Sequence, residues 1–348
     1  TEILAVTGEV DIEDLIPNEE CVLTLTNFGY VKRQKIDTYH TQKRGGRGVM
    51  SMTRRDEDVA SEMFVINSHD YVMFFTNLGR VYKLKCYEIP EGSRTSKGMN
   101  IANLLPISVD EKVTSMIRVP EFDDEKYLVM VTRKGIIKRT LLSAYNTARK
   151  GGVIALDLLD GDELAWVRMT DGHNELLVAT KKGMAIRFNE TDVRPMGRAA
   201  RGVRAITLKD DDVVVGMSLI RENALVLTVS ETGYGRLSNV SDYRLQSRGG
   251  KGVINYHVDK YGDIAAIKSV NLDDDIIIIS SDGIIIRIHA NTIRECSRPS
   301  KGVRVMRVTG DNKVVTIARA PHEEESDQDS KTENNEDLSE DENKTIEE

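Results

Sequence analysis

Short apolar runs, each closed by a small polar turn, recur along the chain and never lengthen into the ten or more periodic positions that mark a helix. Six of them share one pattern: an apolar run, Thr or Ser, two further residues, Gly, then apolar residues and a cation. They read LTLTNFGYVKR (23–33), MFFTNLGRVYK (73–83), VMVTRKGIIKR (129–139), LVATKKGMAIR (177–187), LTVSETGYGR (227–236) and IIISSDGIIIR (277–287). Their glycines, Gly29, Gly79, Gly135, Gly183, Gly233 and Gly283, are separated by 50, 56, 48, 50 and 50 residues. The runs are rich in β-branched residues, and a polar turn ending in Gly supplies the positive φ of a tight hairpin. Each segment therefore predicts a β-hairpin.

A second landmark follows each hairpin: a cation, then Gly, then an apolar residue, as in RGV (47–49), KGM (97–99), KGGV (150–153), RGV (201–203), KGV (251–253) and KGV (301–303). Its glycine lies 19 residues after the first, or 17 in the third unit. A polar turn and another strand come next, as in DDDVVVGMSLI (210–220) and DNKVVTIARA (311–320). About 50 residues with four short strands is the arithmetic of a propeller blade. The expectation is an all-β, six-bladed, propeller-like ring of four-stranded blades over residues 1–321. In such a ring each blade covers its neighbours' faces and no long sheet edge stays open. The opening DLIPNEECVLTLT is expected to pair with the last blade or to cap the first.

The net charge of −8 conceals two parts. Residues 322–348 carry 13 acidic and 2 basic residues, net −11, which leaves +3 (−8 less −11) for residues 1–321. The tail has too few apolar residues to offset the entropy of ordering and is expected to be disordered. It serves either as a solubilising terminus or as an internal competitor for whatever the basic body binds. The opening TEILAVTGEV has no initiator Met and no signal-peptide core, and is expected to be an internal cut from a longer protein. Cys21, Cys86 and Cys296 are isolated and odd in number, so no disulfide framework or zinc motif is indicated, and a reducing, cytoplasmic setting is expected. No apolar run is long enough to span a membrane as a helix.

No motif for catalysis stands out. The histidines lack metal-ligand spacing, and neither a nucleophile elbow nor a phosphate loop is present. No catalytic residue, metal or cofactor is assigned. The cations, by contrast, recur with the blade period. Lys32, Arg33, Lys83, Lys138, Arg139, Arg187, Arg236 and Arg287 follow the turn glycines by three or four residues, and Arg47, Lys97, Lys150, Arg201, Lys251 and Lys301 precede the second glycines. Arg94 and Arg248 lie close by. Uniform positive sign at equivalent points of a ring predicts a belt that holds a polyanion. Aromatics are only 5% of the chain and fall inside strand patterns, which disfavours base stacking on single strands. No helix is available for a major groove. Backbone contacts to duplex DNA, driven by counterion release and indifferent to sequence, remain.

The segment QKRGGRG (42–48), echoed by QSRGGKG (246–252), resembles the box motif in the C-terminal domains of DNA gyrase A proteins, whose usual form is QRRGGKG. The likeness extends over 10–321 and includes EDLIP, LTNFGYVKR, FFTNLGRVYKLK and YRLQSRGGKGV. The resemblance implies a six-bladed β-pinwheel, a relative of the propeller with its own blade connectivity. It implies a domain that wraps duplex DNA in a positive, right-handed sense, so that the bacterial type IIA topoisomerase introduces negative supercoils. It assigns Gln42, Lys43, Arg44, Gly45, Gly46, Arg47 and Gly48 to the box. It places the cleaving tyrosine in the N-terminal part of gyrase A, and the ATP and Mg2+ chemistry elsewhere in an A2B2 holoenzyme whose ATPase is gyrase B. The domain itself is then a monomeric, nucleoid-associated element without a cofactor. The corresponding C-terminal domain of topoisomerase IV is the alternative within the same group. A protein-binding propeller of WD or kelch type is a third reading, although those signatures are absent.

Overall fold

The computed structural model describes residues 12–26, 28–35, 60–93, 96–209 and 211–321. The apolar runs form hairpins where the sequence places them. The first repeat gives β1 (Glu20–Thr26), β2 (Tyr30–Lys35) and β3 (Ala60–Asn67). The second gives β4 (Tyr71–Thr76), β5 (Arg80–Lys85), β6 (Met99–Asn100) and β7 (Val113–Val119). The third gives β8 (Tyr127–Thr132), β9 (Ile136–Leu141), β10 (Val153–Ile154) and β11 (Leu164–Thr170). The fourth gives β12 (Glu175–Thr180), β13 (Met184–Asn189), β14 (Val203–Arg204) and β15 (Val214–Leu219). The fifth gives β16 (Leu225–Ser230), β17 (Tyr234–Asn239), β18 (Val253–Ile254) and β19 (Ile264–Val270). The sixth gives β20 (Asp274–Ser280), β21 (Ile285–His289), β22 (Val303–Arg304) and β23 (Val314–Pro321). The six turn glycines all have φ between +72° and +88°, as tight hairpins require.

The four strands of a repeat do not share one sheet. Sheet order is β3-β1-β2-β6, then β7-β4-β5-β10, β11-β8-β9-β14, β15-β12-β13-β18 and β19-β16-β17-β22. The two-residue strand that follows each cation–Gly landmark thus completes the sheet of the preceding repeat. The sixth sheet has three strands among the described residues, β21-β20-β23. The first repeat's RGV (47–49) lies outside the described residues. The long strands that end each repeat, β3, β7, β11, β15, β19 and β23, pack against one another in succession along the inner edge of the propeller. The lent strands β6, β10, β14, β18 and β22 therefore form its outer edge. The result is a six-bladed propeller with almost no helix; among the described residues its α-helical element is the single turn Val258–Tyr261.

The hydrophobic core is divided into layers between blades. Leu176 and Val178 pack with Val129 and Val131 of the third sheet, while Leu177 and Ala179 pack with Val226 and Ile267 of the fifth. Alternate residues of one strand thus serve opposite neighbours, so both faces of the fourth sheet are covered. The opening segment caps the first hairpins rather than pairing with the last blade. Lys85 Nζ lies 2.8 Å from Glu13 Oε1, and Ser68 Oγ donates to the Pro17 carbonyl at 2.8 Å.

One hydrogen bond recurs wherever a strand is lent. The residue after it donates to the turn-glycine carbonyl of the preceding repeat: Ile101 to Gly29, Ala155 to Gly79, Ala205 to Gly135, Asn255 to Gly183 and Val305 to Gly233, at 2.7–3.0 Å. The second glycine permits that approach. At Gly302, with φ +80°, a Cβ would lie 2.2 Å from the Gly235 carbonyl oxygen. Gly302→Ala is therefore expected to lower unfolding stability by about 2–4 kcal/mol, from positive φ plus backbone overlap. Gly151→Ala, where nothing lies within 4 Å, should change it by about 1 kcal/mol or less. Denaturant unfolding of both variants measures the difference.

Candidate nucleic-acid interface

The periodic cations divide into two groups, and the division corrects the expectation of a single outer belt. Among those that follow the turn glycines, Lys138 and Arg236 are fully buried, Lys32 is 2% exposed and Arg139 7%. Their partners are main-chain carbonyls. Lys32 Nζ donates to Ser93 and Ser96 at 3.3 and 3.1 Å. Lys138 Nζ donates to Ala155 at 2.6 Å and also to Arg198. Arg236 donates to the Asn255 carbonyl and, at 3.1 Å, to its Oδ1. Arg139 reaches the Glu190 carbonyl at 3.2 Å with its guanidinium over the Tyr127 ring.

Arg33 and Arg187 make the same kind of link. Arg33 Nε donates to Ile89 at 3.2 Å, and Arg187 Nη1 to Val240 and Tyr243 at 3.0 and 3.1 Å. Lys83 packs over the Tyr71 and Phe122 rings, and Arg287 pairs with Asp275 at 2.7 Å. Carbonyl oxygens only accept, so a side chain that ties one blade to the loop of another there must be a donor. Lys32, Arg33, Lys138, Arg139, Arg187 and Arg236 meet that requirement. Burial lowers the Lys32 pKa and, with the nearby Arg198, brings that of Lys138 down to about 8.

The cations that precede the second glycines face outward. Lys97, Lys150, Arg201 and Lys251 are exposed or nearly so, and Lys301 partly. Each stands two or three residues before a lent strand, at the outer edge of its sheet. Lys150 pairs with Glu88 at 3.5 Å and Arg201 with Asp157 at 2.9 Å. Such exposed pairs are worth about 0–1 kcal/mol and exchange readily for other anions. Arg248 is tied down, donating to the Asp192 and Arg204 carbonyls at 3.0 and 3.1 Å. Arg94 and the whole box, Gln42–Gly48, lie outside the described residues.

The structure adds cations that the sequence reading missed. Arg194, Arg244 and Arg294 are exposed, each next to a buried anchor, Val193, Tyr243 or Ile293. Arg204 and Arg304 are exposed on β14 and β22. Arg194, Arg244 and Arg294 repeat every 50 residues, the signal that identified the other landmarks. Among the described residues no group of three His, Cys, Asp or Glu is placed to hold a metal. No helix among the described residues is long and apolar enough to cross a membrane.

A six-bladed β-propeller with an outward row of cations beside its lent strands defines the class. The family model "DNA gyrase C-terminal domain, beta-propeller" matches six times, at residues 22–67, 70–120, 126–171, 174–221, 224–271 and 274–321, and the chain belongs to that family. It is 46% identical over 320 residues to the DNA gyrase A subunit of Clostridium acetobutylicum, covering 92% of this chain and 39% of that one. It is 41% identical over 323 residues to the DNA gyrase A subunit of Staphylococcus aureus, covering 92% and 36%. The chain thus spans less than two-fifths of the length of these relatives. Among solved structures, the C-terminal domain of DNA topoisomerase IV superposes with a TM-score of 0.78 at 26% identity, over 88% of this chain and 94% of that one. A DNA gyrase A C-terminal domain does so with 0.68 at 29%, over 86% and 99%.

Lys138 offers a test of the division. A lysine whose folded pKa is about 8 binds fewer protons than its unfolded counterpart between pH 8 and about 10.4, so its contribution to stability rises across that window. The deficit of Lys138→Met relative to wild type should therefore grow from pH 7 to pH 10 in paired thermal melts. Duplex affinity at a temperature where both are folded should stay unchanged, whereas Lys251→Gln should weaken it.

Proposed function

We propose that this chain binds duplex DNA along its outer edge, without sequence preference, and bends it into a positive, right-handed wrap. In the full enzyme this wrap would present a neighbouring segment of the same DNA for strand passage, so that gyrase introduces negative supercoils at the expense of ATP. The observation that carries the reading is the outward cation beside the lent strand of successive blades: Lys97, Lys150, Arg201, Lys251 and Lys301. Arg194, Arg244 and Arg294 reinforce it. A duplex that follows this track must curve, at an elastic cost of about 1–6 kcal/mol for 40–90° over 20–30 bp. Phosphate neutralisation offsets that at moderate salt.

The box, Gln42, Lys43, Arg44, Gly45, Gly46, Arg47 and Gly48, and Arg94 belong to the same interface in this reading. Cleavage and ATP hydrolysis are assigned to parts of the holoenzyme beyond this chain, with gyrase B as partner, in the bacterial cytoplasm. The topoisomerase IV domain remains the second reading because its structure superposes well. The near-complete box and the identity to gyrase A subunits favour the first.

Incubating the protein with relaxed circular DNA and a relaxing topoisomerase, then removing protein, should leave a positive linking difference that grows with protein. An unchanged linking number at saturation contradicts wrapping. In the reconstituted enzyme, alanine at Lys43, Arg44 and Arg47 together should abolish supercoiling and spare relaxation. Loss of both activities would assign the box a broader role. Replacing Arg194, Arg244 and Arg294 with Gln should reduce the slope of log K against log salt by about 2.7, at roughly 0.9 per phosphate contact. An unchanged slope would remove these arginines from the interface.

A further inference from the structure

Two tyrosines occupy one position in the repeat, directly after the turn glycine: Tyr30 on the first sheet and Tyr234 on the fifth. Each is the cross-strand partner of the second residue of a lent strand, Asn100 and Arg304 respectively. Each also lies beneath the cation that precedes that strand's glycine. Lys97 Nζ is 3.8 Å from the Tyr30 ring centroid, and Lys301 Nζ is 3.8 Å from that of Tyr234. On the fifth sheet Arg304 Nη2 also donates to Tyr234 Oη at 2.7 Å. The phenol accepts that bond and keeps its own proton to donate. An ammonium, a guanidinium and a phenol O–H thus converge at one accessible point on the outer edge. We propose that Tyr234, Lys301 and Arg304 form a seat for a single DNA backbone phosphate, with Tyr30 and Lys97 as a lesser counterpart.

A purely structural role explains the arrangement less well. The corresponding cross-strand pairs elsewhere are Arg80 with Ile154, Ile136 with Arg204, and Met184 with Ile254. None of those pairs carries an aromatic ring at the position after the turn glycine, so the fold does not require one there. Pinning by the ring also orders the lysine in advance, which reduces the side-chain entropy lost when a phosphate binds. The charged groups facing Tyr234 are Lys301 and Arg304, and Tyr256 is its other titratable neighbour. Arg304, then Lys301, lowers the pKa of the phenol, which makes it a stronger donor to an anion.

The inference rests on the DNA-binding reading above, and its test separates the two. The 348-residue chain is titrated into a duplex of about 40 bp across a salt series, as wild type, Tyr234→Phe, Arg304→Gln, Lys301→Gln and Tyr261→Phe, with thermal melts confirming folding. Wild type should bind. Tyr234→Phe should weaken binding roughly three- to tenfold with the salt slope unchanged, because a hydrogen bond is lost and no charge. Lys301→Gln and Arg304→Gln should each weaken binding and lower the slope by about 0.9. Tyr261→Phe, in the helical turn Val258–Tyr261 with its ring centroid 5.7 Å from Lys301 Nζ, should match wild type. Wild-type affinity should also fall more steeply than that of Tyr234→Phe as pH rises toward the ordinary phenol range of about 10, because the lowered phenol ionises first and repels the phosphate. A folded Tyr234→Phe variant that binds like wild type at every salt and pH overturns the seat while leaving the DNA reading intact. A wild type that fails to bind duplex sinks both.

Discussion

A two-residue strand passed to the neighbouring sheet is the constraint on which the ring depends. Each such strand is too short to be stable alone. It is held by a donor to the turn-glycine carbonyl of the previous repeat and by a glycine that removes the Cβ which would otherwise collide there. Buried cations such as Lys32 and Lys138 then bind carbonyls of the loops that carry the lent strands. Because every loan joins two repeats, no blade is a separate folding unit, and the apolar layers between blades follow the same connectivity.

The same loan sets the geometry of the outer surface. A segment that must press a glycine against the preceding hairpin presents the residue before that glycine to solvent. Lys97, Lys150, Arg201 and Lys251 face outward for that reason. The long strands β3, β7, β11, β15, β19 and β23 pack in succession along the inner edge, so this row lies along the outer one. A polyanion drawn to it meets charge at intervals of one blade, without shape or hydrogen-bonding features that would distinguish one base from another. Electrostatic attraction of this kind is strong at low salt and weak at high salt, which suits the proposed wrap, a contact that must form and release in each round of strand passage.

The hairpins, their glycines and the count of six were legible because they recur at nearly constant spacing and because positive φ has few residue choices. The strand loan was not. Val203–Arg204 or Val253–Ile254 carries no alternation, and nothing local tells which sheet a two-residue strand will join. The cations were half legible. Lys138 and Lys251 look alike in sequence, yet one is sealed against carbonyls and the other is open to solvent, because charge does not encode burial. Arg194, Arg244 and Arg294 carry the repeat period and could have been read from it. The box at 42–48 was the clearest motif, and it lies outside the described residues.

Hydroxyl-radical footprinting of a long linear duplex bound to the protein tests the continuous outer track most directly. A track followed around the perimeter predicts protection over about 30–45 bp on each strand, recurring once per helical turn of about 10 bp, with the intervening backbone reactive. A single protected patch no longer than one turn would mean that DNA touches one blade or one flat face, and the wrapping account would fail.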